Sequence, residues 1–297
     1  MTIDEHSNPV AESSQLSKPF DAILPAEMAR RAEQVGAVKA SMPLDTLFIL
    51  AVLAGAFIAL GAVFSTTVTA TTGDTLPFGA TKMLGGIAFS LGLILVVVAG
   101  AELFTGNNLI VMALASGKIT VAQVIRNWAI VYAGNFVGAV ATAVIMLLTG
   151  QFMQGHGAIG ENMLNIAHTK CQYSFVQAFA LGIVCNALVC LAVWLCYSAR
   201  TTAEKIASII FPITAFVAAG FEHSVANMYF IPMGLFLKSA APDALWQAIG
   251  TSAESYSSLT WSNFFVANLL PVTLGNIFGG SVMVGLVYWF VYLRKRA

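Results

Sequence analysis

Two strings decide how this chain folds: Gly100-Ala101-Glu102-Leu103-Phe104-Thr105-Gly106-Asn107-Asn108, and Gly220-Phe221-Glu222-His223-Ser224-Val225-Ala226-Asn227. Each interrupts an apolar run, 81–116 and 206–238, that is longer than one membrane crossing yet has no polar loop to divide it into two. A bilayer core of about 30 Å needs roughly 20 apolar residues per helix, and the apolar remainder after each interruption is too short to cross alone. Both runs therefore read as broken helices. Four further runs, 44–68, 122–149, 174–197 and 263–293, are single crossings. The composition agrees, because 58% hydrophobic residues, 9% charged residues and a mean hydropathy of +0.81 over 297 residues exclude a soluble domain.

Net charge is zero, so nothing points to nucleic acid as a partner. The distribution of charge is more informative. Counting loops alternately from a cytoplasmic N-terminus puts Lys18, Arg30, Arg31, Lys39, Lys118, Arg126, Arg200, Lys205, Arg294, Lys295 and Arg296 inside, and only Lys82, Lys170 and Lys238 outside. That asymmetry predicts six crossings with both termini cytoplasmic. Residues 1–43 form a cytoplasmic segment with no signal peptide. Within it Pro25 to Ser41 reads as an amphipathic helix on the membrane face or against the bundle, and 44–297 forms the transmembrane domain. The cysteines, Cys171, Cys185, Cys190 and Cys196, lack CxxC spacing and read as small buried hydrophobes.

The two interruptions share Gly-x-Glu-x-x-x-x-Asn, at Gly100, Glu102 and Asn107 and again at Gly220, Glu222 and Asn227. The third and sixth runs share Gly-Asn-x-x-Gly, at Gly134, Asn135 and Gly138 and again at Gly275, Asn276 and Gly279. Two matched pairs in one order predict an all-α membrane protein of six helices in a 3+3 inverted repeat, with helices two and five broken. The glycines permit close helix approach. Asn135 and Asn276, amides inside a span, need partners. Unwound backbone at membrane depth is tolerated only where protein or a water-lined cavity satisfies it, so the breaks should meet at a substrate path. Half-helix N-termini pointing at that centre favour an anion. Glu102 and Glu222 are expected to hold the broken backbone by accepting N–H bonds. Since Glu222 precedes His223, it is also a candidate to orient or electrostatically tune the imidazole. His6, His156 and His168 read as solvated.

These strings, with Asn127-Trp128, Y-A-G-N-F-V-G from Tyr132, C-L-A-V-W from Cys190, I-P-M-G from Ile231 and N-L-L-P-V-T-L-G-N-I-F-G-G from Asn268, resemble the formate/nitrite transporter family, most closely its formate channel branch, over nearly the whole chain from about residue 20. No signature position departs from that pattern, although Gly106-Asn107-Asn108 after Thr105 is more polar than the resemblance leads one to expect. The resemblance implies an aquaporin-like protomer assembled as a homopentamer in the lipid of a bacterial inner membrane. It also implies formate as cargo, no cofactor or metal, and a cytoplasmic formate-producing lyase as a partner. It implies His223 as the central pore histidine, Thr105 opposite it, and Lys170 and Asn186 near the path. Phe89, Leu93, Leu103, Val189 and Phe216 are implied as the constrictions. His223 would then lend a proton to an arriving anion. Nitrite or hydrosulfide is the alternative cargo. A neutral-solute pore lacks its Asn-Pro-Ala loops here, and an intramembrane enzyme lacks a His-Glu-x-x-His string or Ser–His pair.

Overall fold

The structure, a computed structural model, describes residues 22–71 and 75–294. Expectations for residues 1–21 and 295–297, Lys18, Lys295, Arg296 and His6 among them, lie outside the described residues. All regular structure among the described residues is helical. Helix α1 is Pro25–Ala40, α2 Leu44–Thr69, α3 Phe78–Ile94, α4 Val111–Ala115, α5 Val121–Thr149, α6 Ala158–Lys170, α7 Phe175–Ser198, α8 Thr202–Ala218, α9 Ser224–Ala240, α10 Asp243–Ile249, α11 Leu270–Ile277 and α12 Val287–Tyr292. Wider π turns continue α3 through Leu95–Gly100 and flank α11 at Asn263–Leu269 and Phe278–Leu286. Among the described residues, five helical stretches are long and apolar enough to cross a membrane: Leu44–Thr69, Phe78–Gly100, Val121–Thr149, Phe175–Ser198 and Asn263–Tyr292.

Helix starts obey their sequences. Thr120, Ser174 and Thr201 each cap the next helix in a reciprocal box with Gln123, Gln177 and Glu204, which satisfies N–H groups that have no partner inside the helix. The interruptions come from glycine. Gly100 and Gly220 take φ of +83° and +72°, a left-handed backbone that a Cβ disfavours, and each helix stops there. Both stops close on the same wide bond, Ala101 N–H to Val96 O at 2.9 Å and Phe221 N–H to Phe216 O at 3.0 Å. After the first, a 3-10 turn at Gly106–Ile110 leads into α4, and after the second, α9 starts directly at Ser224.

Glycines set how closely the helices approach. At Gly138 on α5 a Cβ would lie 1.9 Å from Val52 O of α2, and at Gly279 one would lie 2.0 Å from Ile183 O of α7. No side chain fits there without parting the helices. Gly279→Ala is expected to destabilise the folded protein by about 1–3 kcal/mol, the usual penalty for overpacking. Thermal unfolding in detergent measures this, and a melting temperature equal to that of the unsubstituted protein contradicts it.

Helix α1 packs against the bundle. Arg31 donates to Tyr197 O of α7 at 3.2 Å, Glu33 pairs with Lys118, and Met28, Ala29 and Ala32 are buried with Met112 and Trp194.

Candidate functional site

Each helix stop is stitched by a set of bonds that has its counterpart at the other stop. At the first break Asn135 Oδ1 accepts Phe104 N–H at 2.9 Å, while its Nδ2 donates to Ala51 O at 2.7 Å and Glu102 O at 2.9 Å. At the second, Asn276 Oδ1 accepts Ser224 N–H at 2.9 Å and its Nδ2 donates to Gly182 O at 2.8 Å and Glu222 O at 3.0 Å. Glu102 N–H donates to Leu50 O and Glu222 N–H to Leu181 O. One carboxamide offers both a donor and an acceptor, which is what a gap in a helical ladder lacks.

The glutamates do something other than expected. Their carboxylates accept side-chain donors, and it is the asparagines that hold the broken backbone. Glu102 takes Lys39 Nζ at 2.8 Å and Asn107 Nδ2 at 2.7 Å. Glu222 takes Lys170 Nζ at 2.7 Å, Asn227 Nδ2 at 2.7 Å and Asn268 Nδ2 at 3.1 Å. A buried carboxylate persists as an ion only with such partners, and a backbone amide alone brings no charge to offset desolvation. Nor does Glu222 orient the imidazole, because its oxygens are occupied by Lys170, Asn227 and Asn268. Asn127 and Asn268 complete the two boxes. Asn127 Oδ1 accepts Asn107 Nδ2 at 3.0 Å and its Nδ2 donates to Lys39 O at 3.0 Å, while Asn268 accepts from Asn227 at 2.7 Å and donates to Lys170 O at 2.9 Å.

Lys39, Asn127 and Asn268 are site residues that sequence patterns alone do not single out. The available signal for the asparagines is the spacing Asn127-x7-Asn135 and Asn268-x7-Asn276, which extends the repeat by one residue pair. Lys39 offers less, since it sits on a helix whose pattern speaks only of a surface.

His223 is 3% exposed and Thr105 is fully buried. His223 Nδ1 accepts Ala226 N–H at 3.0 Å, so the ring hydrogen is on Nε2, which donates to Thr105 Oγ1 at 3.0 Å. Phe216 lies nearly parallel to the imidazole, centroids 5.9 Å apart, and Phe89 meets Phe216 edge-on at 5.6 Å. Asn186 is fully buried and its Nδ2 donates to Asn276 O at 2.7 Å and Asn108 Oδ1 at 2.8 Å, reaching Thr105 O at 3.3 Å. Asn186 thus ties the first break to the helix that supports the second. The polar Asn108 has a use, since its own Nδ2 donates to Phe104 O at 3.2 Å.

Two cavities reach toward this centre. One has Arg31, Lys39, Leu93, Glu102, Leu103 and Lys205 in its wall, and the other Lys82, Phe89, Lys170, Phe216, Glu222 and His223. Leu93 and Phe89 are one turn apart on α3, so the cavities converge on adjacent turns of the same helix. Val189 is buried and is in neither wall. Lys170 stands at the second cavity with its side chain 14% exposed, and Phe230 lies 5.4 Å from its ammonium. His168 is half-buried, bonded to Gln172 and Ser258, and so is not simply solvated.

Membrane-length helices packed around two hydrogen-bonded breaks, with a buried histidine–threonine contact and two cavities whose walls include adjacent turns of α3, define an integral membrane protein with a polar interior. Residues 26–290 match the family model described as formate/nitrite transporter. The chain is 50% identical over 279 residues to the formate channel FocA of Escherichia coli (strain K12), covering 94% of this chain and 97% of that one. It is 44% identical to the FocA formate channel of Haemophilus influenzae, over 93% of this chain and 96% of that one. A solved pentameric formate channel with formate bound superposes with a TM-score of 0.80 at 49% identity, over 84% of this chain and 98% of that chain. The chain belongs to the formate/nitrite transporter family.

Proposed function

We propose that this protein conducts formate across the bacterial inner membrane, one pathway per protomer of a homopentamer embedded in lipid. In this reading residues 44–297 form six crossings arranged as a 3+3 inverted repeat, both termini are cytoplasmic, and the breaks at Gly100 and Gly220 face one another at mid-depth. The observation that carries the reading is the buried 3.0 Å contact between Thr105 and His223. It joins the two breaks beside Phe216, which packs on Phe89 of α3 in the wall of the second cavity. The residue-for-residue match of the two stitching sets supports the repeat, as does the 2.8 Å bond between Tyr132 and Thr273, which occupy equivalent places in the third and sixth runs. The relatives' described activity supports formate as the cargo.

Desolvating a carboxylate in an apolar throat costs several kcal/mol even after relaxation, on the order of what a buried ion pays elsewhere in proteins. Leu93 and Leu103 on one side and Phe89 and Phe216 on the other form such throats. Lys39 and Lys170 draw the anion into each cavity, and their bonded glutamates keep that attraction moderate enough for release. At the centre the Thr105 hydroxyl, polarised by His223, meets a formate oxygen, and proton exchange with the imidazole lets the neutral acid pass. A formate-producing lyase on the cytoplasmic side is the fitting source of cargo. Residues 1–43 serve that face, although Lys39 within them belongs to the pathway wall.

His223→Asn tests the proposal in liposomes loaded with purified protein. The substitution is expected to leave the pentamer assembled and to flatten the dependence of formate uptake on pH. Uptake that tracks pH as in the unsubstituted protein removes the proton exchange from the reading.

A further inference from the structure

Histidine is an unusual N-cap. The position ordinarily carries an acceptor oxygen, from Ser, Thr, Asp or Asn, for one of the unpaired N–H groups of the first turn. At the start of α9 the acceptor is His223 Nδ1, which takes Ala226 N–H at 3.0 Å. A backbone N–H can only donate, so the lone pair of Nδ1 faces it and the ring hydrogen sits on Nε2, against Thr105 Oγ1.

Such a ring is neutral, and surrendering its one N–H hydrogen to a carboxylate would leave an imidazolate. Proton transfer to formate therefore starts from an imidazolium, with hydrogen on both nitrogens. The second hydrogen has one place to go, Nδ1, where it meets the Ala226 N–H donor to donor. We infer that the Ala226 N–H is a positioning group in the transport cycle: it holds the ring of the empty pathway as the Nε2–H tautomer, and loading a second proton breaks the first-turn bond of α9.

Atoms and charge balance at every step of this cycle. A proton from solvent forms an N–H bond at Nδ1 and Ala226 N–H loses its acceptor. The Nε2–H bond then breaks as an O–H bond forms on formate. The ring is neutral again but as the Nδ1–H tautomer, still unable to accept from Ala226. The cap returns only when Nδ1 gives up its hydrogen to solvent and Nε2 regains one. One proton accompanies each formate, and the first turn of α9 stays uncapped from loading to reset.

The surroundings leave this choice to the cap. Glu222, the nearest carboxylate in sequence, is bonded to Lys170 of α6 and to Asn227 and Asn268. Phe89 of α3 and Phe216 of α8 bring rings without charge. From α7 come Cys185, buried, and Cys190, whose thiol donates to Thr105 O at 3.4 Å. Helix α11 contributes Asn276, bound to Ser224 N–H and Glu222 O.

This inference rests on the proposed proton exchange for its role in transport, while the tautomer itself is independent of it. Solid-state NMR on the full chain in bilayers, labelled with 15N histidine and at the Ala226 amide, reads both, with a His223→Asn spectrum identifying the His223 signals. At neutral pH without formate, Nδ1 is expected bare and Nε2 hydrogen-bearing. As the ring charges in the presence of formate, the Ala226 amide signal moves with it. An Nδ1–H ring at neutral pH, or a ring that charges while the Ala226 amide stays still, overturns the inference.

Ala226→Pro deletes the N–H in a first turn that tolerates proline better than a helix interior does. The pH midpoint of formate uptake is expected to rise by about one unit, the equivalent of about 1.4 kcal/mol, because the hydrogen bond no longer favours the neutral ring. An unmoved midpoint in an assembled variant also overturns the inference, and the NMR result decides if the variant does not assemble. Finding the Nε2–H tautomer without any formate flux retires the transport reading and keeps the cap. The converse, pH-dependent flux with Nδ1–H, retires the cap alone.

Discussion

Asn276→Leu is expected to remove the folded protein from the membrane. The side chain is fully buried and serves three backbone groups at once, accepting Ser224 N–H and donating to Gly182 O and Glu222 O. Leucine fills nearly the same volume and serves none of them. A buried polar group stripped of its partner costs about 1–3 kcal/mol, and here the two groups in the break have no helical ladder to fall back on. The combined loss of several kcal/mol is a large part of the roughly 5–15 kcal/mol that separates folded from unfolded proteins. Asn276→Asp retains the acceptor for Ser224 N–H but, as an ion, turns an unpaired buried charge toward Gly182 O and Glu222 O, so it is expected to be no milder than leucine. Yield of assembled protein and melting temperature in detergent measure the series; a leucine variant that assembles and melts like the native chain would mean that the breaks are held by something else.

The second large effect is at Glu222. Glu222→Leu leaves the Lys170 ammonium, its side chain only 14% exposed, without a counter-charge, and deprives Asn227 and Asn268 of an acceptor. Breaking one partner of a buried pair typically costs about 3–5 kcal/mol, whereas replacing both with apolar groups is often close to neutral. The double variant Lys170→Met with Glu222→Leu should therefore recover most of the stability lost in the single one. A double-mutant cycle on thermal unfolding isolates the coupling. If the double variant is as unstable as the sum of the singles, the pair is not the unit that matters.

Much of the helical order is legible in the sequence because membrane helices announce themselves by length and hydropathy. The runs at 44–68, 122–149 and 174–197 lie within a residue or two of α2, α5 and α7. The interruptions are legible too, since a glycine followed by a carboxylate inside an apolar run has little other use. Hidden from the sequence are partners that exist only in three dimensions. Lys39 lies 63 positions from Glu102, on a helix whose spacing describes a surface, and nothing local marks it as a counter-charge. Its counterpart Lys170 ends α6, a helix of mixed polarity that hydropathy passes over. The expectation that the glutamates cap backbone transfers the habit of soluble helices to a different medium. In this interior a carboxylate needs a cation more than an amide, and the neutral asparagines take over the backbone. The π turns around α11 likewise leave no signature in residue type.

The bonds that hold the two breaks run through Asn135, Asn276, Glu102, Glu222 and their lysines, while the Thr105 and His223 side chains contribute to that frame only the Ala226 cap. In the proposed reading the asparagines serve architecture alone, Thr105 and His223 meet the cargo, and the two lysines belong to both. A scaffold divided in this way is open to specialisation, so chains that share its asparagines can diverge in the small molecules they admit.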